Sequence, residues 1–132
     1  MKFNFSQVCI WLLRLIAAII MLQTLFFKFS GAEESIYIFT KLGIEPWGRI
    51  GTGIIELIAS IFILNPRTTG LGAIMGMGVM AGALLSHLTT LGIAVKDDGG
   101  QLFTYALIVF FSCAFLLVFH INQVILLLKR LF

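Results

Sequence analysis

The chain has 132 residues, of which 60% are hydrophobic and only 11% charged, with 13 Phe, 13 Gly and a formal net charge of +3. A water-soluble domain of this size has too much surface to hide that much apolar side chain and usually carries about 25% charged residues, so the composition is that of an integral membrane protein. The basic residues are scattered singly, which excludes a nucleic-acid partner, and Cys9 and Cys113 stand far apart inside apolar runs, which excludes a disulfide framework or a redox pair.

One spanning helix needs roughly 20 mostly apolar residues, so the length suits about four spans within a single domain over residues 1–132. The expected fold is all-α: a four-helix transmembrane bundle with a short interfacial helix between spans one and two. The first span is expected over about 8–29, a retained helix rather than a removable signal peptide, since it contains Arg14 and lacks a small-residue cleavage site. Ser30-Gly31-Ala32-Glu33 has the spacing of a capping box and predicts the interfacial helix over Gly31 to Leu42, with Ile36, Phe39 and Leu42 on its apolar side. Gly43 ends it. Glu45-Pro46-Trp47 then starts the second span, 47–64, with Pro46 in its first turn. The turn Asn65 to Gly70 leads into the third span, 71–95, and Lys96 to Gly100 separates it from the fourth, 101–128. Four spans place both termini on one side. The Lys and Arg count is the same on the two sides, and the acidic loops opposite favour cytoplasmic termini.

Ionisable side chains inside spans are costly at the bilayer centre, so they face the bundle interior or snorkel from a helix end. Glu56 lies roughly 13 Å into the second span and cannot reach water by stretching, so it pairs with a neighbouring helix as a packing lock or exchanges a proton as part of a site. Thr52 and Ser60 make its face polar. Antiparallel packing places Lys28, Arg49, Glu56, His87 and Tyr105 in the same half of the bilayer. Lys28 either snorkels or pairs with Glu56, and His87 is either an interfacial hydrogen-bonding residue or a proton carrier. Arg14, Met21 and Lys28 share one stripe within about 40°, with Arg14 a structural charge on the other side of the membrane, whereas Gln23 points about 140° away from Lys28 and is left out of the cluster. Gly72, Gly76, Gly78, Gly82 and Ser86 are read as packing residues of the third helix. His120, Asn122 and Gln123 are expected to be solvated at the interface. No metal site is expected from two histidines in opposite leaflets.

Several of these pieces resemble the DoxX family: Arg14 in the first helix, the run Phe26-Phe27-Lys28-Phe29-Ser30-Gly31, Gly53-Ile54-Ile55-Glu56 in the second, and Gly82-Ala83-Leu84-Leu85-Ser86-His87 in the third. The resemblance covers about Trp11 to Phe119. It implies a four-helix bundle in a bacterial cytoplasmic membrane and singles out Arg14, Lys28, Glu56 and His87. Some members of that family are the membrane subunit of a thiosulfate:quinone oxidoreductase, others associate with membrane redox complexes, and a more distant animal relative is an assembly chaperone for a receptor.

Three functions are weighed from these residues. The first is a quinone-linked redox subunit in which Glu56 and His87 are catalytic, exchanging protons, while Lys28, Arg49 and Tyr105 bind the substrate, with lipid, a redox partner subunit or a second copy as further partners. The second is a non-catalytic membrane partner or assembly factor. The third is a small-molecule-binding membrane protein, which requires an open cavity in the polar half of the bundle.

Overall fold

A computed structural model describes residues 4–132. The chain is all-helical there: α1 (Phe5–Ser30), α2 (Glu33–Lys41), α3 (Trp47–Leu64), α4 (Thr69–Ser86) running on through a π-helical turn (His87–Leu91), α5 (Gln101–Phe119) and α6 (Ile121–Leu131). Four of these segments, Phe5–Ser30, Trp47–Leu64, Thr69–Leu91 and Gln101–Phe119, are long and apolar enough to cross a membrane. In a bilayer only helices and closed barrels satisfy every backbone group internally, which is why such runs fold this way.

Both α1 and α4 pack against α3 and α5, so the four long helices form a ring in the order α1, α3, α4, α5. Its centre is filled by Ala17, Met21, Ala59, Ile63, Val109 and Leu116, all essentially inaccessible. The small residues matter. A Cβ on Gly72 would stand 2.8 Å from the Ala59 carbonyl oxygen and 2.7 Å from the Ile63 nitrogen, so α3 and α4 touch backbone to backbone at that level. A Cβ on Gly76 would stand 2.7 Å from the Cys113 sulfur of α5. Large apolar side chains such as Leu12, Ile19, Ile61, Leu85 and Phe115 point outward, where lipid replaces water.

The structure corrects several expected boundaries. The fourth span ends at Phe119 rather than near Leu128, because the chain bends at His120 and continues as the amphipathic α6, which packs on α4. Gln123 holds that bend, accepting from the Gly70 amide (3.0 Å) and donating to the Pro66 carbonyl (2.6 Å) in the turn between α3 and α4. With no buried residue and Lys129 and Arg130 in its last turn, α6 has the character of an interfacial helix. The third span ends at Leu91 rather than Val95, since Gly92 takes a positive φ of 78°.

The helix between spans one and two starts at Glu33, and the expected capping box does not form. Gly31 instead adopts the left-handed conformation that closes α1, and Ala32 caps α2 without a side-chain bond. The inward side of α2 is Ser35 and Phe39, with Ile38 and Leu42, while Ile36 is exposed. A capping box does form at Asn4 and Gln7, at the start of α1.

Candidate functional site

Lys28 and Glu56 make an ion pair of 2.5 Å between the last turn of α1 and the middle of α3. Glu56 is 2% exposed. Two features of the sequence bring the pair together. Lys28 sits in the last turn of α1, where the helix dipole favours a cation. Gly53, one turn before Glu56, leaves room for the Phe29 ring, whose Cε1 lies 2.7 Å from where a Cβ would stand, so α1 and α3 close up beside the pair. The Thr24 hydroxyl, one turn before Lys28, lies 3.2 Å from Glu56 Oε2 and 2.8 Å from the Met21 carbonyl, and shares its single proton between them.

Arg49 braces this arrangement from behind. Its Nη1 donates to the Lys28 carbonyl, and its Nε and Nη2 both donate to Glu45 Oε1 at 2.8 Å. That ties the end of α1 to the start of α3.

Beside the ion pair lies a cavity of about 790 Å³, bounded by α1, α3, α4, α5 and, at its outer end, by Ser35, Ile38 and Phe39 of α2. Lys28, Glu56, His87 and Tyr105 all line it; Arg49 does not. Its wall is mostly apolar, supplied by residues such as Ile20, Ile55, Met75, Val79 and Leu102. His87 is 6% exposed and packs edge-on against Phe103, with ring centroids 5.6 Å apart. Its Nδ1 lies 2.9 Å from the Gly92 carbonyl oxygen. A carbonyl can only accept, so Nδ1 carries the proton and the neutral ring has its lone pair on Nε2, for which no hydrogen-bond partner occurs among the described residues. The π-helical turn places His87 and Leu91 on the same buried side. The Tyr105 hydroxyl accepts from Gln101 Nε2 at 2.9 Å and keeps its own proton free to donate.

Glu56 and His87 therefore share a cavity without a hydrogen bond to each other among the described residues. Gln23, excluded from the cluster by its helical angle, does line the cavity, because the cavity spreads around α1 beyond the Lys28 face. Thr24 is a further residue of the site, and its spacing of four from Lys28 is the sequence signal for it. Gly78 and Gly82 also line the cavity and have nothing within 4 Å of an added Cβ, so of these four glycines Gly72 and Gly76 serve close packing and Gly78 and Gly82 do not.

At the far end of the bundle, Arg14 Nη2 lies 3.1 Å from His120 Nε2, with the guanidinium 4.5 Å from the centroid of the Trp11 ring. The expectation that His120 and Gln123 need only interfacial solvation gives way to specific contacts, because the bend after α5 turns both back onto the bundle. Outside the spans, Asp98 is partly desolvated, which raises its pKa. The backbone N–H groups of Val95, Gly100 and Leu102 donate to its carboxylate and outweigh that, holding the pKa below the usual value. No group of three or more His, Cys, Asp or Glu side chains among the described residues is arranged to hold a metal ion.

No curated protein and no solved structure matches the chain. The family model for DoxX matches residues 9–89, more than half of the chain, from α1 into the π-helical turn that carries His87. That match takes in Arg14, Lys28, Glu56 and His87, and it leaves Tyr105 and the Arg14 partner His120 outside. The chain belongs to the DoxX family of membrane proteins.

Proposed function

We propose that this protein is a quinone-linked redox membrane subunit whose cavity receives the quinone head beside the Lys28–Glu56 pair. The observation that carries this reading is a cavity of about 790 Å³ that is apolar over most of its wall but has an ion pair, an imidazole and a phenol on its lining. Its size falls within the roughly 300–1,000 Å³ typical of small-ligand sites. The donor set fits two carbonyl oxygens: the Lys28 ammonium has three N–H groups and gives one to Glu56, and the Tyr105 hydroxyl proton is free. A bound quinone supplies a two-electron, two-proton couple. Lys28 and Tyr105 orient the head by donating to its oxygens. His87, through the Nε2 lone pair, and Glu56 hold and move the protons, and a redox partner subunit supplies the electrons. The protein acts as one integral domain in a bacterial cytoplasmic membrane, with both termini cytoplasmic.

The test is native mass spectrometry and quinone titration of the gently solubilised protein, comparing wild type with His87→Asn. The asparagine amide can keep the bond to the Gly92 carbonyl while removing the Nε2 lone pair. Bound quinone in wild type, with quinone-dependent turnover at least tenfold lower in the variant, supports the reading. A wild type that carries no quinone and takes none up overturns it, and a co-purifying membrane protein in that case favours the non-catalytic assembly role.

A further inference from the structure

The four long helices do not pack equally along their length. At Gly72 the backbones of α3 and α4 are in contact, with a Cβ there meeting main-chain atoms of Ala59 and Ile63 at under 3 Å. Further along α4, at Gly78 and Gly82, an added Cβ would meet nothing within 4 Å. Both glycines are exposed and both line the cavity, as does Ile55 of α3, itself 40% exposed. Ile55 lies one turn from Ala59 on the side of α3 that faces α4. The seam that is closed at Gly72 is therefore open between Ile55 and the Gly78–Gly82 edge, where α4 has no side chain to fill it.

The depth of this opening is informative. The spanning segment of α4 runs from Thr69 to Leu91, so Gly78 and Gly82 lie about its midpoint. At 1.5 Å per residue they are roughly 14 and 8 Å along the helix from His87. Lys28, His87 and Tyr105 lie near the ends of their helices, at the α2 end of the cavity, whereas the gap lies nearer the bilayer centre, at the level of Glu56 and among hydrocarbon chains. A compact, tailless ligand needs no such exit, and a soluble ligand would need one at the other end.

We propose that the gap between α3 and α4 is a lateral portal through which the apolar tail of the ligand leaves the cavity into the bilayer, passing over Gly78 and Gly82. The inference rests on the quinone reading above and deepens it: the ligand is a long-tailed, membrane-resident isoprenoid quinone whose head is held at Lys28, Tyr105 and His87. Phospholipid and fatty acyl chains share the tail chemistry, and the experiment separates them.

The test titrates detergent-solubilised wild type and Gly78→Leu/Gly82→Leu with a long-tailed isoprenoid quinone, a tailless benzoquinone and a fatty acid. Expected is tight binding of the long-tailed quinone to wild type, at least a tenfold loss in the double variant, and tailless binding changed less than twofold. Equal long-tailed binding to both proteins overturns the portal and leaves the quinone reading standing. Loss of both quinones in the variant, still monodisperse, places the leucines in the head site and also overturns the portal. A wild type that binds the fatty acid but neither quinone overturns the quinone reading and the inference with it. Should the double variant fail to fold, a quinone with a diazirine at mid-tail decides the matter on unaltered protein. Labelling at Ile55 and Gly78 to Gly82 supports the portal, and labelling confined to Gln23 and Phe27 on α1 overturns it.

Discussion

Arg14 and His120 are 106 residues apart in sequence, yet the guanidinium Nη2 lies 3.1 Å from the imidazole Nε2. The tautomer follows from the other ring nitrogen: His120 Nδ1 is 2.8 Å from the Leu116 carbonyl and must donate to it, which leaves Nε2 to accept from Arg14. The contact gives a buried cation, 4% exposed, a defined partner, and it holds the bend that ends the fourth span. Arg14 Nε has no hydrogen-bond partner among the described residues, so this one bond matters more than usual.

Removing that acceptor should cost about 1–3 kcal/mol. His120→Ala is expected to lower the thermal unfolding temperature in detergent and to speed amide exchange in α6. His120→Gln, which can present an oxygen near the position of Nε2, should recover most of the loss. An unchanged exchange rate in α6 with His120→Ala would show that Gln123 alone holds the bend.

The Lys28–Glu56 pair should behave as a buried ion pair does. Breaking it from one side leaves an uncompensated charge, at about 3–5 kcal/mol. Glu56→Gln and Lys28→Met are each expected to destabilise strongly, and the double variant Lys28→Met/Glu56→Leu should be more stable than either. Unfolding midpoints of the four proteins close this cycle. A double variant whose loss equals the sum of the two single losses would mean that the two charges act separately.

Glycines on one helix should respond oppositely to the same substitution. Gly72→Ala forces a methyl against the α3 backbone and should cost about 1–3 kcal/mol. Gly78→Ala meets open space and should be neutral or stabilise by up to about 1 kcal/mol, since alanine is the better helix former. Thermal unfolding of the two variants side by side is the measurement.

Asp98 gives the loop before α5 a pH dependence. Its pKa is depressed in the folded protein, so its stabilising effect is complete above the unfolded value of about 3.9 and is lost as pH falls through the lower folded value. Asp98→Ala should destabilise by about 0.5–2 kcal/mol at pH 7, as the loss of a helix cap does, and should differ little from wild type at the acid end of that range. Unfolding measured in both proteins from pH 7 downward tests the sign, and a difference that grows on acidification would refute it.

Much of the site was legible because depth along a helix is a one-dimensional quantity. Lys28, Glu56, His87 and Tyr105 could be assigned to one half of the bilayer by counting residues, and the cavity does gather all four. Arg49 fitted the same count but braces the end of α1 instead, because depth says nothing of which way a side chain turns around its helix. The bend at His120 is marked only by the polar residues His120, Asn122 and Gln123, which an interfacial helix end explains equally well. No Gly or Pro breaks the run there, and the contacts that hold the break, Arg14 with His120 and Gln123 with Gly70 and Pro66, join residues far apart in sequence.

The number and order of the spans were determined by sequence alone, since in hydrocarbon each backbone group must find its partner within its own helix and an apolar run of sufficient length has no other stable form. Tertiary structure alone decided where the helices touch and where they part. Gly72 and Gly78 are the same residue on the same helix, one against the backbone of α3 and the other beside an open cavity. That difference depends on the angle at which two helices cross, and the crossing angle is set by all the side chains between them rather than by any local pattern.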